Sequence, residues 1–403
     1  MLASLSFGQY VNAKSQDQKE KKMSNFINPS VLAAESLVQL EYDLVAGNLV
    51  YRDNTSDFSS EGGYAKGDTV TIRTATDLET NEFSGAGPIT TQQVNQSKTP
   101  LVIEKHFDVS VEITARERAL NLDGVRSQII QPAMTSMAQK VDEYLLSKIT
   151  ESQGLYASSA LLQGAADIAQ ANKRATLQQI SKAGRIGLVN EDLEATLLGT
   201  DTFSKFDTRG AAGATALQEA SLGRLMGVDW FSSVNMPNAS HTAGSGVTTL
   251  DNSVSTNNLQ GSKVLVVDST TGTFNAGDKI QIAGAKRAFT VASQVVATST
   301  SIPLVEEINE NLNSLDGNAI TVISTGNTVD YQGIFFNQGA FSYASPPLDP
   351  ANSELSATLS ANGMSIRVTE AYDIQTKKTF WSFDMLIGAK ATDTRRSMLL
   401  GKF

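Results

Sequence analysis

Residues able to act as ligands, bases or nucleophiles are sparse in this chain. Its only histidines, His106 and His241, lie far apart, and neither has a partner at metal-ligand spacing. His106 falls inside an alternating stretch and reads as a surface or interface side chain. There are no cysteines, which removes disulfides, thiolate metal sites and Cys nucleophiles. Their absence fits a protein made in a reducing cytoplasm. The densest acidic group is Glu306, Glu307 and Glu310. Paired carboxylates can serve as general acid and base, but only in a cleft that separates their roles. Nothing near this trio marks a cleft, so it reads as a solvated face. Arg395-Arg396 could touch nucleic acid or an acidic neighbour, although two cations make an ordinary surface pair. Trp230 and Trp381 sit in strand-like stretches and are expected to fill cores rather than hold a ligand. No Gly-x-Gly-x-x-Gly follows a strand, no phosphate loop ends in Gly-Lys-Ser/Thr, and there is no Gly-x-Ser-x-Gly elbow. The sequence therefore assigns no catalytic residue, no cofactor-binding residue and no metal ligand, and points away from an enzyme.

With no reactive cluster to position, the elements themselves carry the information. A length of 403 residues suggests two or three domains and allows a sizeable core. Hydrophobic residues make up 40% and charged residues 18%, slightly poor in charge, as when much surface is buried against partners. The formal net charge is −10, which argues against a protein that wraps or reads nucleic acid. It suits a container wall that must not stick to its contents, as it suits many soluble proteins. No run approaches the ~18 apolar residues of a membrane helix, so no membrane partner is expected. From Met1 to Lys22 a short apolar start precedes a polar, charged tract, the reverse of a signal peptide. With Met23 as a second plausible start, residues 1–24 are expected to be an upstream extension or a loose arm.

Asn28-Pro29 can cap and open a helix whose apolar face runs through Leu37, Leu40, Leu44 and Val45 to Ala46, with Gly47 ending it. From Leu49 to Thr114 strands take over. Thr69-Val70-Thr71-Ile72-Arg73 alternates, Phe83 to Pro88 is a loop signal, and Leu101-Val102-Ile103 and Phe107 to Ile113 follow. Two long strands around a tip make an extended arm that needs a partner surface. Leu122, Val125, Ile129, Ala133, Met137, Val141, Tyr144, Leu145 and Ile149 then form one helical stripe. A helix from Asn121 to Ser152 would be roughly 45 Å long at about 1.5 Å per residue. Pro132 either kinks it or sits in its first turn. Ala157 to Ala171 carries little signal. A helix is expected over Leu177–Ile186, a buried strand over Glu194–Gly199, helical segments at Thr202–Phe206 and Ala214–Leu222, and a strand from Gly227 to Val234. At Asn238 the composition shifts to Ser, Thr, Gly, Asn and Val. Short strands at Lys263–Val267, Gly277–Gly284, Ala288–Val291 and Ala319–Ile323 suggest a small β-barrel or sandwich inserted between mixed segments. Strands return at Gly333–Ser342, Ser365–Thr369 and Thr379–Gly388.

Four stretches, in order, resemble the coat-protein family of tailed bacteriophages. They are Leu44 to Asp53, Lys66 to Arg73, Ile129 to Asp142, and Asn275 to Gly284 inside the β-rich block. The family carries the Hong Kong 97-type fold, and the likeness is to the subgroup that inserts a β-domain, as the coat protein of the short-tailed Salmonella phage does. The resemblance spans about residue 25 to the C-terminus and implies an α+β fold with named parts. Residues 25–48 would be the N-terminal arm helix. Residues 49–120 would be the extended loop and peripheral-domain strands. Residues 121–237 would hold the spine helix with peripheral and axial portions, 238–328 the inserted β-domain, and 329–403 the axial domain and C-terminal strands. It further implies a shell subunit that tiles with itself as pentamers and hexamers in the virion, assembled in a host bacterial cytoplasm. Because 1–22 is too short for a fused scaffold segment, a separate scaffolding protein is implied, together with a portal protein. Packaged dsDNA would be enclosed without sequence-specific binding. Another phage structural protein, from a tail or a decoration, is the alternative, which the long helical stripe disfavours. A secreted glycan-binding protein or hydrolase would need a cleft with paired carboxylates or a secretion signal.

Overall fold

The computed structural model describes residues 29–52, 67–74, 97–113, 126–204, 219–253, 258–259, 261–308, 310, 312, 315–349, 355–375 and 378–403. Helix α1 (Pro29–Asp43) begins with Pro29, where the missing N–H leaves no bond unmade. Its expected cap, Asn28, lies outside the described residues, as do residues 1–24. Leu32, Ala33, Leu37 and Leu40 form the buried face. The helix stops at Asp43, short of Ala46, and Gly47 lies inside a second short helix, α2 (Ala46–Leu49), rather than ending the first. The cause is a carboxylate distant in sequence. Asp142 accepts the N–H of Val45 and of Gly47, both at 2.9 Å, and so answers orphan donors at a new helix start.

Strands β1 (Thr69–Thr74) and β2 (Ser97–Val102) pair antiparallel, from Thr69 opposite Val102 to Thr74 opposite Ser97. The loop expected at Phe83–Pro88 lies outside the described residues. Strand β3 (Lys105–Ile113) follows. The expected long helix is three pieces where described: a π-helical turn (Arg126–Ile130), α3 (Gln131–Ser147) and a 3-10 turn (Lys148–Glu151). Pro132 stands in the first turn of α3, so it opens the regular helix instead of kinking it. Ala133, Met137, Val141, Tyr144 and Leu145 are buried, as their spacing requires.

Strand β4 (Gly154–Ser158) and helix α4 (Ala165–Leu177) fill the stretch of weak signal. The helix expected over Leu177–Ile186 is corrected: α4 ends at Leu177, a turn follows with Gly184 at φ 66°, and β5 (Arg185–Val189) begins. The strand expected at Glu194–Gly199 is corrected too, because α5 (Glu191–Leu198) is helical. The Asn190 side chain caps it by accepting the Leu193 N–H at 3.0 Å, and Glu191, Asp192 and Glu194 favour the positive helix end. Leu193 and Leu197, four apart, are its buried pair. Helix α6 (Asp201–Ser204) is all that is described of the Thr202–Phe206 segment, and 214–218 lie outside the description. Leu222 leads directly into β6 (Gly223–Leu225), paired with β7 (Val228–Ser232).

Next come β8 (Ser240–Thr242), β9 (Val247–Thr249), β10 (Val264–Val266), β11 (Lys279–Ile282), β12 (Ala288–Thr290), β13 (Ser301–Pro303) and β14 (Ala319–Val322). The strand expected over Gly333–Ser342 is split by a 3-10 turn into β15 (Thr328–Asn337) and β16 (Phe341–Ala344), which join different sheets. The chain ends with β17 (Ser356–Ala361), β18 (Met364–Asp373), β19 (Lys378–Ala391) and β20 (Ser397–Lys402).

The fold is α+β. One sheet runs β16-β19-β18-β17 with β3 on the other side of β19. Helices α1 and α3 cover its inner face, burying Leu40, Met137 and Val141 with Ile366, Trp381 and Phe383. A second sheet runs β4-β20-β15-β5-β7-β6, with β8 on β15. Its other apolar cluster joins Ile168 of α4, Leu193 and Leu197 of α5, Phe203, Trp230 and Phe335. Trp230 meets Phe203 and Phe335 edge-on at 5.8 and 5.3 Å, so both tryptophans pack in cores as expected. Residues from β9 to β14 form two small sheets around a third cluster, including Phe274, Ile280, Phe289, Ile302 and Ile320. None of its residues belongs to the other two clusters.

Candidate assembly surface

The first element of this surface is the β1–β2 hairpin. Among the described residues neither strand pairs with a third, so the hairpin is a two-stranded ribbon whose outer edges no further strand covers. Pro100 within β2 removes one donor, which only an edge strand tolerates. The base is fastened: Gly67 N–H donates to Ile103 O at 2.8 Å, and Ile103 N–H to Asp68 O at 2.9 Å. Leu101 and Ile103 are fully buried against the body. There β2 crosses β19 at Gly388, where a Cβ would lie 2.4 Å from Val102 O. Glycine is required for this close crossing. The arm therefore has a rigid root and, among the described residues, no third strand beside it.

The second element is apolar surface left in solvent. Helix α1 buries one face and shows another, with Val31, Val38 and Tyr42 exposed, the last at 84%. Tyr372 and Ile374, where β18 ends, are also exposed, Ile374 at 70%. Side chains this open, on a helix and a sheet end already packed on their other sides, are available to a partner.

The third element is the polar outer face of the β3-containing sheet. Arg367 donates from Nε to Asp384 at 3.0 Å, and His106 Nε2 lies 3.4 Å from the same carboxylate. Hydrogen bonding to Asp384 holds the Arg367 guanidinium above its ordinary pKa. Ser382 and Ser110 hydroxyls donate to Asp108, and Lys378 pairs with Glu112 at the rim. Strand β3 pairs only with β19 among the described residues.

The residues singled out in the sequence do not converge. His106 lies on this outer face, while His241 Nε2 donates to the Asp278 carboxylate at 2.7 Å, far away in the third cluster's neighbourhood. Glu306 accepts the Thr290 N–H at 3.0 Å, and Glu310 accepts the N–H groups of Lys286 and Arg287 at 3.0 and 3.1 Å. Glu307 faces solvent, so the trio is two structural clamps and one surface acid. Arg395 and Arg396 both bind Asp393, at 2.7 and 3.0 Å. They line a cavity of about 780 Å³ with Arg287, Gln178 and Asp229, but Arg287 is held by Gln179 at 2.6 Å. The cavity's cations are thus already answered by the chain. Among the described residues no three His, Cys, Asp or Glu side chains could share a metal ion, and no helix is long and apolar enough to cross a membrane.

No family model matches the chain, and no curated protein matches it. Among solved structures, it is similar to a protein of Mycobacterium phage Che8, at 14% identity and TM-score 0.48, over 89% of this chain and 90% of that one. It is similar to a capsid structure of the cyanophage P-SCSP1u at 12% identity and TM-score 0.46, over 85% of each chain. A capsid chain of Ralstonia phage GP4 is similar at 11% identity and TM-score 0.47, over 86% of each chain.

Asp142 and Asp278 were not singled out by sequence reasoning. Asp142 is buried on α3, where burial pushes its carboxyl up and the N–H bonds from Val45 and Gly47 pull it back. It ties the N-terminal helices to α3. The available signal was an acid inside the apolar stripe, beside Val141. Asp278 had no comparable signal, since the Gly-Asp pair opening a strand is common turn chemistry.

Proposed function

We propose that this chain is the major capsid protein of a tailed bacteriophage, a non-enzymatic subunit that tiles with copies of itself into an icosahedral shell around dsDNA. The observation that carries the reading is the β1–β2 arm, rooted in the body at Gly388 and joined by no third strand among the described residues. Strand edges that no neighbour covers gain hydrogen bonds by lying against another chain. The exposed stripe of α1 and the end of β18 supply further surface for the same purpose. Repeated contacts of about 2,000 Å² in a closed shell would make each modest interface collectively strong.

On this reading residues 25–48 are the N-arm and 49–120 the extended loop with peripheral strands. Helix α3 is the spine of the peripheral domain, and residues 329–403 are the axial domain and C-terminal strands. Residues 238–328 are the inserted domain. Pentamers and hexamers would be built with a separate scaffolding protein and a portal, in the host cytoplasm, with DNA enclosed but not read. The order of the four resembling stretches supports these assignments. Expression of the full chain with a scaffolding protein, followed by electron microscopy, tests them: closed shells are expected. A compact monomer under every assembly condition, unchanged by truncating the arm within Leu49–Thr114, would overturn the proposal.

A further inference from the structure

The β9–β14 unit has its own buried apolar cluster, and apart from Ile323, which packs against the body, its junction with the rest is made by buried polar groups. Lys279 is the centre of this junction. Its ammonium is completely buried and donates to Ser152 O, to Thr150 O at 3.5 Å and to Thr290 Oγ1 at 2.8 Å. The two carbonyls belong to the 3-10 turn ending the α3 segment and its following residue, whereas Thr290 belongs to β12. Arg174 of α4 binds Gln281 of β11, and Arg287 binds Gln179. The preceding residue, Asp278, is fully buried and takes the His241 ring and the Gly244 N–H. His241 lies on β8, one of the two strands that connect the unit to the body. Residues 278 and 279 therefore grip the connection and the body in succession.

We propose that this unit is a detachable rigid module and that Lys279 makes its docking proton-dependent, with tighter docking once the ammonium has lost its proton. Two carbonyls and a hydroxyl accept from the cation, and among the described residues no carboxylate contacts it. Glu306 acts through Thr290, whose Oγ1 donates to it at 2.8 Å, and Glu151 acts from the 3-10 turn. Both favour the charged form, but burial outweighs them and lowers Lys279 from 10.5 to about 8. The other charges at the junction are Arg174 with Glu310 near it, Arg287, and the Asp278–His241 pair. Burial, with the Asp278 charge adding to it, pushes Tyr331 up to about 12, so it does not titrate in the range concerned.

Below pH 8 both docked and undocked modules carry the Lys279 proton, and the docking constant is flat. Between about 8 and the ordinary 10.5 only the undocked module carries it, so docking tightens tenfold per pH unit, roughly 300-fold in all. Local opening of this kind is readable without global unfolding.

The absence of cysteine allows a direct test in the full chain. Ser152 is buried at the junction, so Ser152→Cys reports opening through its rate of thiol labelling, normalised at each pH to a small thiol of known reactivity. Ala171→Cys in the body cluster and Val291→Cys in the module's own cluster report unfolding of either part. The expected result is a normalised Ser152→Cys rate that is flat from pH 7 to 8 and falls about tenfold per unit from 8 to 10. It becomes flat throughout when Lys279→Met or Lys279→Arg is added, while the other two reporters stay protected. The same slope in both Lys279 variants, a flat wild-type profile, or equal labelling of all three reporters would each overturn the proposal.

Discussion

Gly388→Ala should detach the root of the hairpin while leaving the body folded. An added methyl would lie 2.4 Å from Val102 O, 2.8 Å from Leu101 Cδ2 and 3.0 Å from Ile103 Cα. Two of these three atoms are backbone and cannot rotate aside, so β2 has to lift from β19. Overpacking of this type costs about 1–3 kcal/mol. The cost falls on β2 because β19 is held in its own sheet at this point, with Gly388 opposite Ala344 of β16 and Ile387 opposite Lys105 of β3. Hydrogen exchange is the assay: amide protection in 97–103 should be lost while protection in β18 is kept. Under the assembly proposal, shell yield should collapse in the same variant. Gly47→Ala is the comparison, because its methyl would meet only Leu44 side-chain ends at 3.2 Å, and it should change stability by no more than about 1 kcal/mol. A Gly388→Ala protein with wild-type protection in 97–103 would refute the reasoning.

Asp142→Ala leaves the Val45 and Gly47 N–H groups without an acceptor. At about 1–3 kcal/mol for each orphaned donor, partly offset by relief of a buried carboxylate, the net loss should be about 2–4 kcal/mol, read as faster exchange in 29–50. Asp142→Asn keeps one acceptor and should lose about half as much. Phe289→Ala, in the third cluster, should destabilise the β9–β14 unit by about 3–5 kcal/mol and leave the α3 amides protected, since the cores are separate. Arg367→Met leaves the largely buried Asp384 with only His106 nearby and should cost about 2–4 kcal/mol in urea titrations, below the fully buried figure because Arg367 is partly exposed. Lys378→Ala breaks only the rim pair with Glu112 and should stay within about 1 kcal/mol.

What the sequence revealed depended on how local the determining force was. The α3 stripe and the alternating β3 and β19 were legible because burial on one face imprints a period. Pro132 was ambiguous because a kink and a helix start need the same residue. Glu194–Gly199 looked like a strand because Leu197-Leu198 is a short apolar run; the Asn190 cap just upstream was the overlooked helix signal. β20 went unseen because Met398-Leu399-Leu400 is buried on both faces between β15 and β4, which erases alternation. Among the candidate side chains, spacing could not reveal that His106 meets Asp384 or His241 meets Asp278, for both pairs are made by distant strands crossing. The hairpin arm was foreseeable as two strands around a loop, but its fastening at Gly388 needed the third dimension.

Thr242 and Thr328 face each other across the antiparallel β8–β15 pair. The polypeptide thus departs from the body and comes home at one doorway, with neighbouring strands as its posts. The entropy of closing a loop over such adjacent ends grows only slowly with the loop's length. Whatever is spliced there, a tight two-residue turn or a foreign cargo, asks nearly the same of the sheet beneath. The socket is where lineage or laboratory can change this molecule's bulk and display while its tiling parts keep their shape.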